Sequence, residues 1–295
     1  MRRRALGVAA LVGALAVPAG PAWGHGVVGK RFFPATLAIE DPLVADELAL
    51  PSVSHIKGPE GKETAIGVEL QKRITPDLGL SVGGEYRVLD PSEPEEGTRS
   101  GFGNPEVGLK YTLLRDAPHE LALSLAFDWE IGGVGSRRVE AESFSTIGPS
   151  LLFGKGFGDL PDSLALLRPV AVTGVIGAEI PLTGRESNAL TYGLALQYSI
   201  PYLQSFVRDV GLRGPLGRLI PIVEALLSTP LEEERTTGTI NPGIIWAGRF
   251  FEIGVEAIIP ISEASGKTVG VRALLHFFLD DLMPAAFRPL LGGPR

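Results

Sequence analysis

Between residues 78 and 88, Leu78, Leu80, Val82, Tyr86 and Val88 alternate with Gly79, Ser81, Gly83, Glu85 and Arg87. The same period of two returns along the chain. Val107, Leu109, Tyr111 and Leu113 alternate with Glu106, Gly108, Lys110 and Thr112. Leu121, Leu123, Leu125, Phe127 and Trp129 alternate with Glu120, Ala122, Ser124, Ala126, Asp128 and Glu130. Further copies run over 190–199, 251–259 and 269–277. A helical period would put Glu and Leu on one stripe, so these segments predict strands. Weaker alternation over 47–57, 64–73, 142–155, 166–180, 217–229 and 237–247 brings the total to about twelve.

The two faces differ in kind. One is Leu, Val, Ile and aromatic, with almost no charge mid-strand; the other is Gly, Ala, Ser and Thr with scattered charges. A soluble sandwich would bury its large side chains and put a charge-rich face in water. Large apolar outside and small polar inside suits a sheet in lipid, which must close because an open edge would leave backbone groups unpaired. Strands of about ten residues, tilted near 40°, span roughly 25 Å of hydrocarbon. The fold class expected is therefore all-β: a transmembrane antiparallel up-and-down β-barrel of about twelve strands.

Connection lengths and aromatic positions agree. With the N-terminus periplasmic, the turns at 75–77, 115–118 and 248–249 fall on the periplasmic side, and longer polar connections fall on the other. Two nominally periplasmic connections, 156–165 and 201–216, are long, and Phe206 to Leu212 is expected to make a helical turn. Trp129 and Tyr192 fall at the outer rim, and Tyr111, Phe153, Tyr198, Trp246, Phe251 and Phe277 at the periplasmic rim, as belts at the headgroup level require.

Composition adds compartment and partner. Arg2-Arg3-Arg4, the uncharged stretch Ala5 to Val17 and Ala22-Trp23-Gly24 predict a cleaved signal peptide over 1–24. The rest divides into a periplasmic N-terminal segment (25–46), the barrel (47–280) and a periplasmic C-terminal tail (281–295). The absence of Cys fits an oxidising compartment, and a net charge of −7 argues against nucleic acid. The environment expected is lipid of a Gram-negative outer membrane, with the chain a monomer.

Candidate chemistry is sparse. The histidines beyond the signal are His25, His55, His119 and His276, too dispersed for a Ser–His–acid set, and no Ser sits in a G-x-S-x-G elbow. His25, as a mature N-terminus, could chelate copper, but an incidental residue at a signal junction is the plainer reading. Gly101-Phe102-Gly103-Asn104-Pro105 precedes a strand and so does not cradle phosphate, and Glu232-Glu233-Glu234 reads as a solvated loop tip. No catalytic residue, metal or cofactor is expected. The informative set is the charge expected to face the lumen: Glu69, Glu85, Arg87, Glu106, Lys110, Asp128, Glu179, Glu224, Glu252, Glu256 and Arg272, joined by Glu130. Carboxylates outnumber bases, so the set either selects cations or neutralises itself as a plug.

Phe32-Phe33-Pro34-Ala35-Thr36-Leu37, Asp41-Pro42-Leu43-Val44-Ala45-Asp46-Glu47-Leu48 and Gly101-Phe102-Gly103-Asn104-Pro105 resemble motifs of one group of proteobacterial outer-membrane proteins. So do Gly108-Leu109-Lys110-Tyr111, Asn241-Pro242-Gly243, Trp246-Ala247-Gly248 and His276-Phe277-Phe278-Leu279-Asp280-Asp281. The group is named for an outer-membrane component of the phenol meta-cleavage degradation pathway. The resemblance implies uptake of small solutes, aromatic compounds among them, and assigns no functional residues. The chain is thus read as a passive pore or transporter, with a non-conducting structural or assembly barrel and an outer-membrane hydrolase as alternatives.

Overall fold

In the computed structural model, described over residues 26–291 except 59, 60, 94, 96, 184, 185, 233 and 234, the alternating segments pair edge to edge in chain order. The segment expected to be a signal peptide, His25 and most of the 232–234 run lie outside the described residues. A two-residue hairpin, β1 (Val27–Val28) and β2 (Arg31–Phe32), precedes the sheet. The strands that follow are β3 (Glu47–Gly58), β4 (Gly61–Arg73), β5 (Leu78–Pro91), β6 (Arg99–Phe102), β7 (Glu106–Asp116), β8 (Leu121–Glu130) and β9 (Thr146–Gly156). They continue with β10 (Val170–Pro181), β11 (Ala189–Tyr198), β12 (Leu219–Pro230), β13 (Thr237–Ala247), β14 (Phe251–Pro260) and β15 (Gly270–Phe278). Both β6 and β7 pair with β5 and act as one strand broken at Gly103-Asn104-Pro105, leaving a closed barrel of twelve.

Closure lies between β15 and β3, where Phe278 pairs with Glu47 and Val271 with His55. The register shifts at Leu50-Pro51, where proline has no N–H for the ladder. Thus β15 is the last strand, although the chain continues: α2 (Leu279–Leu282) follows, and the tail returns to the β4–β5 turn through Leu291 N–H to the Ile74 carbonyl at 2.7 Å.

Alternation sorts the side chains as the pattern requires. On β8, Leu125, Phe127 and Trp129 are exposed outward, while Ala122, Ser124 and Ala126 are buried inward. Ile176, Leu194 and Ile253 extend the apolar outer belt around the barrel. The helical turn in the long connection before β12 begins earlier than predicted. It comprises α1 (Ile200–Tyr202) and a wide turn over Leu203–Val207, because Ser199 caps it by accepting from Tyr202 N–H at 3.2 Å.

The segment read as a periplasmic lead-in enters the barrel. Phe33, Ile39, Leu43, Val44 and Ala45 are buried between the walls. Fully burying each larger side chain contributes about 1.5–3 kcal/mol. Inward glycines make the room. A Cβ at Gly254 would lie 2.7 Å from Leu37 Cδ1, and one at Gly193 2.9 Å from Ile39 Cδ1. Gly154 meets Pro42 and Gly79 meets Val44 in the same way.

Candidate functional site

The site is the lumen as divided by residues 33–46. Two wall residues hold this segment at its middle. Glu224, inward on β12 and fully buried, accepts three consecutive backbone N–H groups: Leu37 at 2.9 Å, Ala38 at 3.1 Å and Ile39 at 3.0 Å. Successive amides converging on one carboxylate satisfy both a buried charge and a stretch of backbone that has no ladder partner. On the facing wall, Lys110 of β7 reaches Glu40 Oε1 at 2.7 Å and donates to the carbonyls of Asp41 at 3.0 Å and Leu43 at 3.2 Å. Burial pushes the Asp41 carboxyl up to about 6, with Lys110 pulling it back down.

Both ends of the segment are anchored. Below it, Arg31 bonds Glu120 at 3.1 Å and the Pro169 carbonyl at 2.9 Å, and the Tyr202 hydroxyl donates to Glu120 at 2.8 Å. Where it leaves for β3, Asp46 accepts from Lys72 at 2.7 Å and Arg73 at 2.8 Å, and Ala45 N–H donates to Gln71 at 3.0 Å. Ser124 donates to the Pro42 carbonyl. Backbone groups with no sheet partner are thereby satisfied.

A crevice of about 470 Å3 remains beside the segment. It is bounded by Ala35–Asp41 and by inner-face residues of β3, β4, β5, β7 and β15. Of the nominated charges, Glu69, Glu85, Arg87, Glu106 and Lys110 line it, with Glu130. Glu224, Glu252, Glu256 and Arg272 lie elsewhere on the inner wall. There Glu256 pairs with Arg272 at 2.7 Å, and Glu252 is fully buried opposite His276 in the β14–β15 register. Asp128 faces inward on β8, and Glu179 sits near the outer end of β10. Arg87 pairs with Glu85, whereas Glu69, Glu106 and Asp128 make no ion pair among the described residues.

Sequence reading did not single out Glu40, Asp41 or Asn104 as site residues. Asn104, in the break between β6 and β7, donates to Glu130 at 2.7 Å and to the Glu142 carbonyl at 3.0 Å, and accepts from Gly135 N–H at 2.9 Å. It ties the 131–145 connection to the barrel mouth, where Val139 is fully buried. Asp41 and Asn104 stood within the resemblance motifs, and Glu40 fell between two of them.

The histidines do not converge. His55 bonds Thr64 at 2.9 Å, His119 bonds Asp116 at 2.9 Å, and His276 pairs with Glu47 at 3.0 Å. No serine hydroxyl is bonded to any of them, and no cluster of three metal-ligating groups occurs, among the described residues.

No protein-family model and no curated protein matches the chain by sequence. Solved structures do match by shape. An outer membrane channel from Pseudomonas putida F1 superposes with a TM-score of 0.51 at 11% identity, over 84% of this chain and 99% of that one. The KdgM porin covers 77% of this chain and 97% of its own, with a TM-score of 0.46 and 14% identity. Outer membrane phospholipase A from Escherichia coli covers 82% and 94%, with a TM-score of 0.40 and 11% identity. Of the three, the first alone is near enough to carry an argument, and at that identity it speaks for the fold and not the activity. With its apolar outer belt, the chain is a twelve-stranded barrel of the Gram-negative outer-membrane type.

Proposed function

We propose that the protein is a narrow, passive outer-membrane channel for small solutes, acting as a monomer, with its own residues 33–46 restricting the lumen. The observation that carries this reading is the 470 Å3 crevice left beside that segment inside a closed barrel. Its lining is polar, and Glu69 and Glu106 on it make no ion pair among the described residues. A confined space of this kind favours cations and small neutral polar molecules over anions. Uptake of aromatic compounds rests on the sequence resemblance; an aromatic solute would meet charged and amide groups over most of the crevice. The dispersed histidines favour a channel over a hydrolase.

A non-conducting structural barrel is the second reading, favoured by the extent to which Glu224 and Lys110 hold the segment across the lumen. Swelling of liposomes carrying the refolded protein separates the two. Entry of small polar solutes supports the channel. Swelling no faster than in empty liposomes, together with no conductance in planar bilayers, would assign the structural role.

A further inference from the structure

We infer that one arc of the periplasmic rim is a binding ledge for anionic phospholipid of the inner leaflet, taking the phosphodiester headgroup between Arg218 and Arg249. The ledge is built from the two long connections that break the short-turn rule, 157–169 and 199–218, together with the 248–250 turn. On the remaining arc, the 74–77 and 117–120 turns are short, and the C-terminal tail packs against the first of them.

Two contacts place the ledge outside the barrel wall. Tyr198 faces outward at the end of β11, and its hydroxyl donates to the Leu166 carbonyl at 3.2 Å. Trp246 faces outward at the end of β13, and the Arg218 guanidinium lies 5.8 Å from its ring. Leu166 and Arg218 therefore lie beside the aromatic belt, at headgroup depth, while Pro169 and Tyr202 of the same connections turn inward to Arg31 and Glu120. Beside the belt Leu166 and Leu216 are exposed, an apolar surface that acyl chains would cover.

The charge on this arc runs opposite to the chain's net −7. Arg208, Arg218 and Arg249 are exposed and have no carboxylate partner among the described residues, whereas Arg213 pairs with Asp209 and Arg168 with Asp162, both at 2.7 Å. On the 74–77 and 115–120 turns, Arg115 pairs with Asp77 and His119 with Asp116, both at 2.9 Å. Arginines free of internal partners, standing over aromatic rings beside exposed leucines, fit a lipid phosphate above its own acyl chains.

The test uses the full mature chain in nanodiscs of phosphatidylcholine with one-fifth phosphatidylglycerol. Native mass spectrometry of the released barrel reads the retained lipid. Phosphatidylglycerol should be retained preferentially, less so at high salt, and Arg218→Gln with Arg249→Gln should weaken retention about tenfold or more. Arg115→Gln on the opposite arc should leave it unchanged. If the double variant folds poorly, a Trp129→Phe chain serves instead. There Trp246 should be quenched more strongly by brominated phosphatidylglycerol than by brominated phosphatidylcholine. Equal retention of both lipids, equal quenching by both, or equal loss in Arg115→Gln would overturn the inference. A dimer abolished by the double variant would overturn it too, by giving the surface to a second copy.

Discussion

Lys110 Nζ lies 2.7 Å from Glu40 Oε1, joining strand β7 to a segment that precedes the first barrel strand by several residues. The ammonium is buried and also serves the Asp41 and Leu43 carbonyls. Three acceptors on one cation make it a latch for the lumen segment as well as a lining charge.

Lys110→Met should therefore free the segment. It keeps the side-chain volume and strands the acceptors, costing the docked arrangement about 2–4 kcal/mol. Single-channel conductance should rise above that of the parent while the barrel remains heat-modifiable on gels. An unchanged conductance in a folded variant would show that Lys110 does not hold the segment.

Selectivity should depend on where a carboxylate sits more than on how many there are. Glu69→Gln with Glu106→Gln, both on the crevice, should lower the preference for potassium under a potassium chloride gradient. Glu252→Gln with Glu256→Gln should change it little, since neither lines the crevice and Glu256 is already paired with Arg272. The reversal potential reads both, and the effects should grow at low salt. The opposite ordering of the two variants would refute the crevice as the conducting path.

The wall's register makes a three-way prediction. Leu125→Arg places a charge in lipid near mid-strand and should cost about 2–4 kcal/mol. By parity alone Ser124→Arg should be mild, yet Ser124 is buried against Pro42, so arginine there must displace the lumen segment. Ser52→Arg projects into the crevice and should be the mild one. Refolding titrations in urea rank the three, and a costly Ser52→Arg would contradict the open crevice.

Segment docking should tighten as the pH falls. The Asp41 carboxyl is raised to about 6 when docked, against about 3.9 for a solvated aspartate. Docking then takes up a proton, so this contribution is fully present below about pH 4 and is lost as the pH rises through about 6. Conductance should accordingly fall between pH 7 and pH 5, and Asp41→Asn should flatten that dependence. A conductance that rises on acidification in the parent and not in Asp41→Asn would reverse the assignment.

The barrel was legible in the sequence because strand alternation is a local property. Which face of Leu121 to Glu130 meets lipid follows from the residues of that strand alone, and so does the need to close the sheet. The course of residues 33–46 has no such local signature. It has no ladder and no period, and its partners, Lys110 and Glu224, lie 69 and about 185 residues away and reach it only after closure. The inward glycines Gly79, Gly154, Gly193 and Gly254 look in sequence like any small lumen residues; only the closed barrel makes them the space that Val44, Pro42, Ile39 and Leu37 fill. The sequence by itself determined a closed barrel in lipid and which face of each strand turns inward. Tertiary structure alone decided which of the inner charges face a crevice and which are spent on holding the segment, because charge pairing across a lumen depends on distances that chain closure creates.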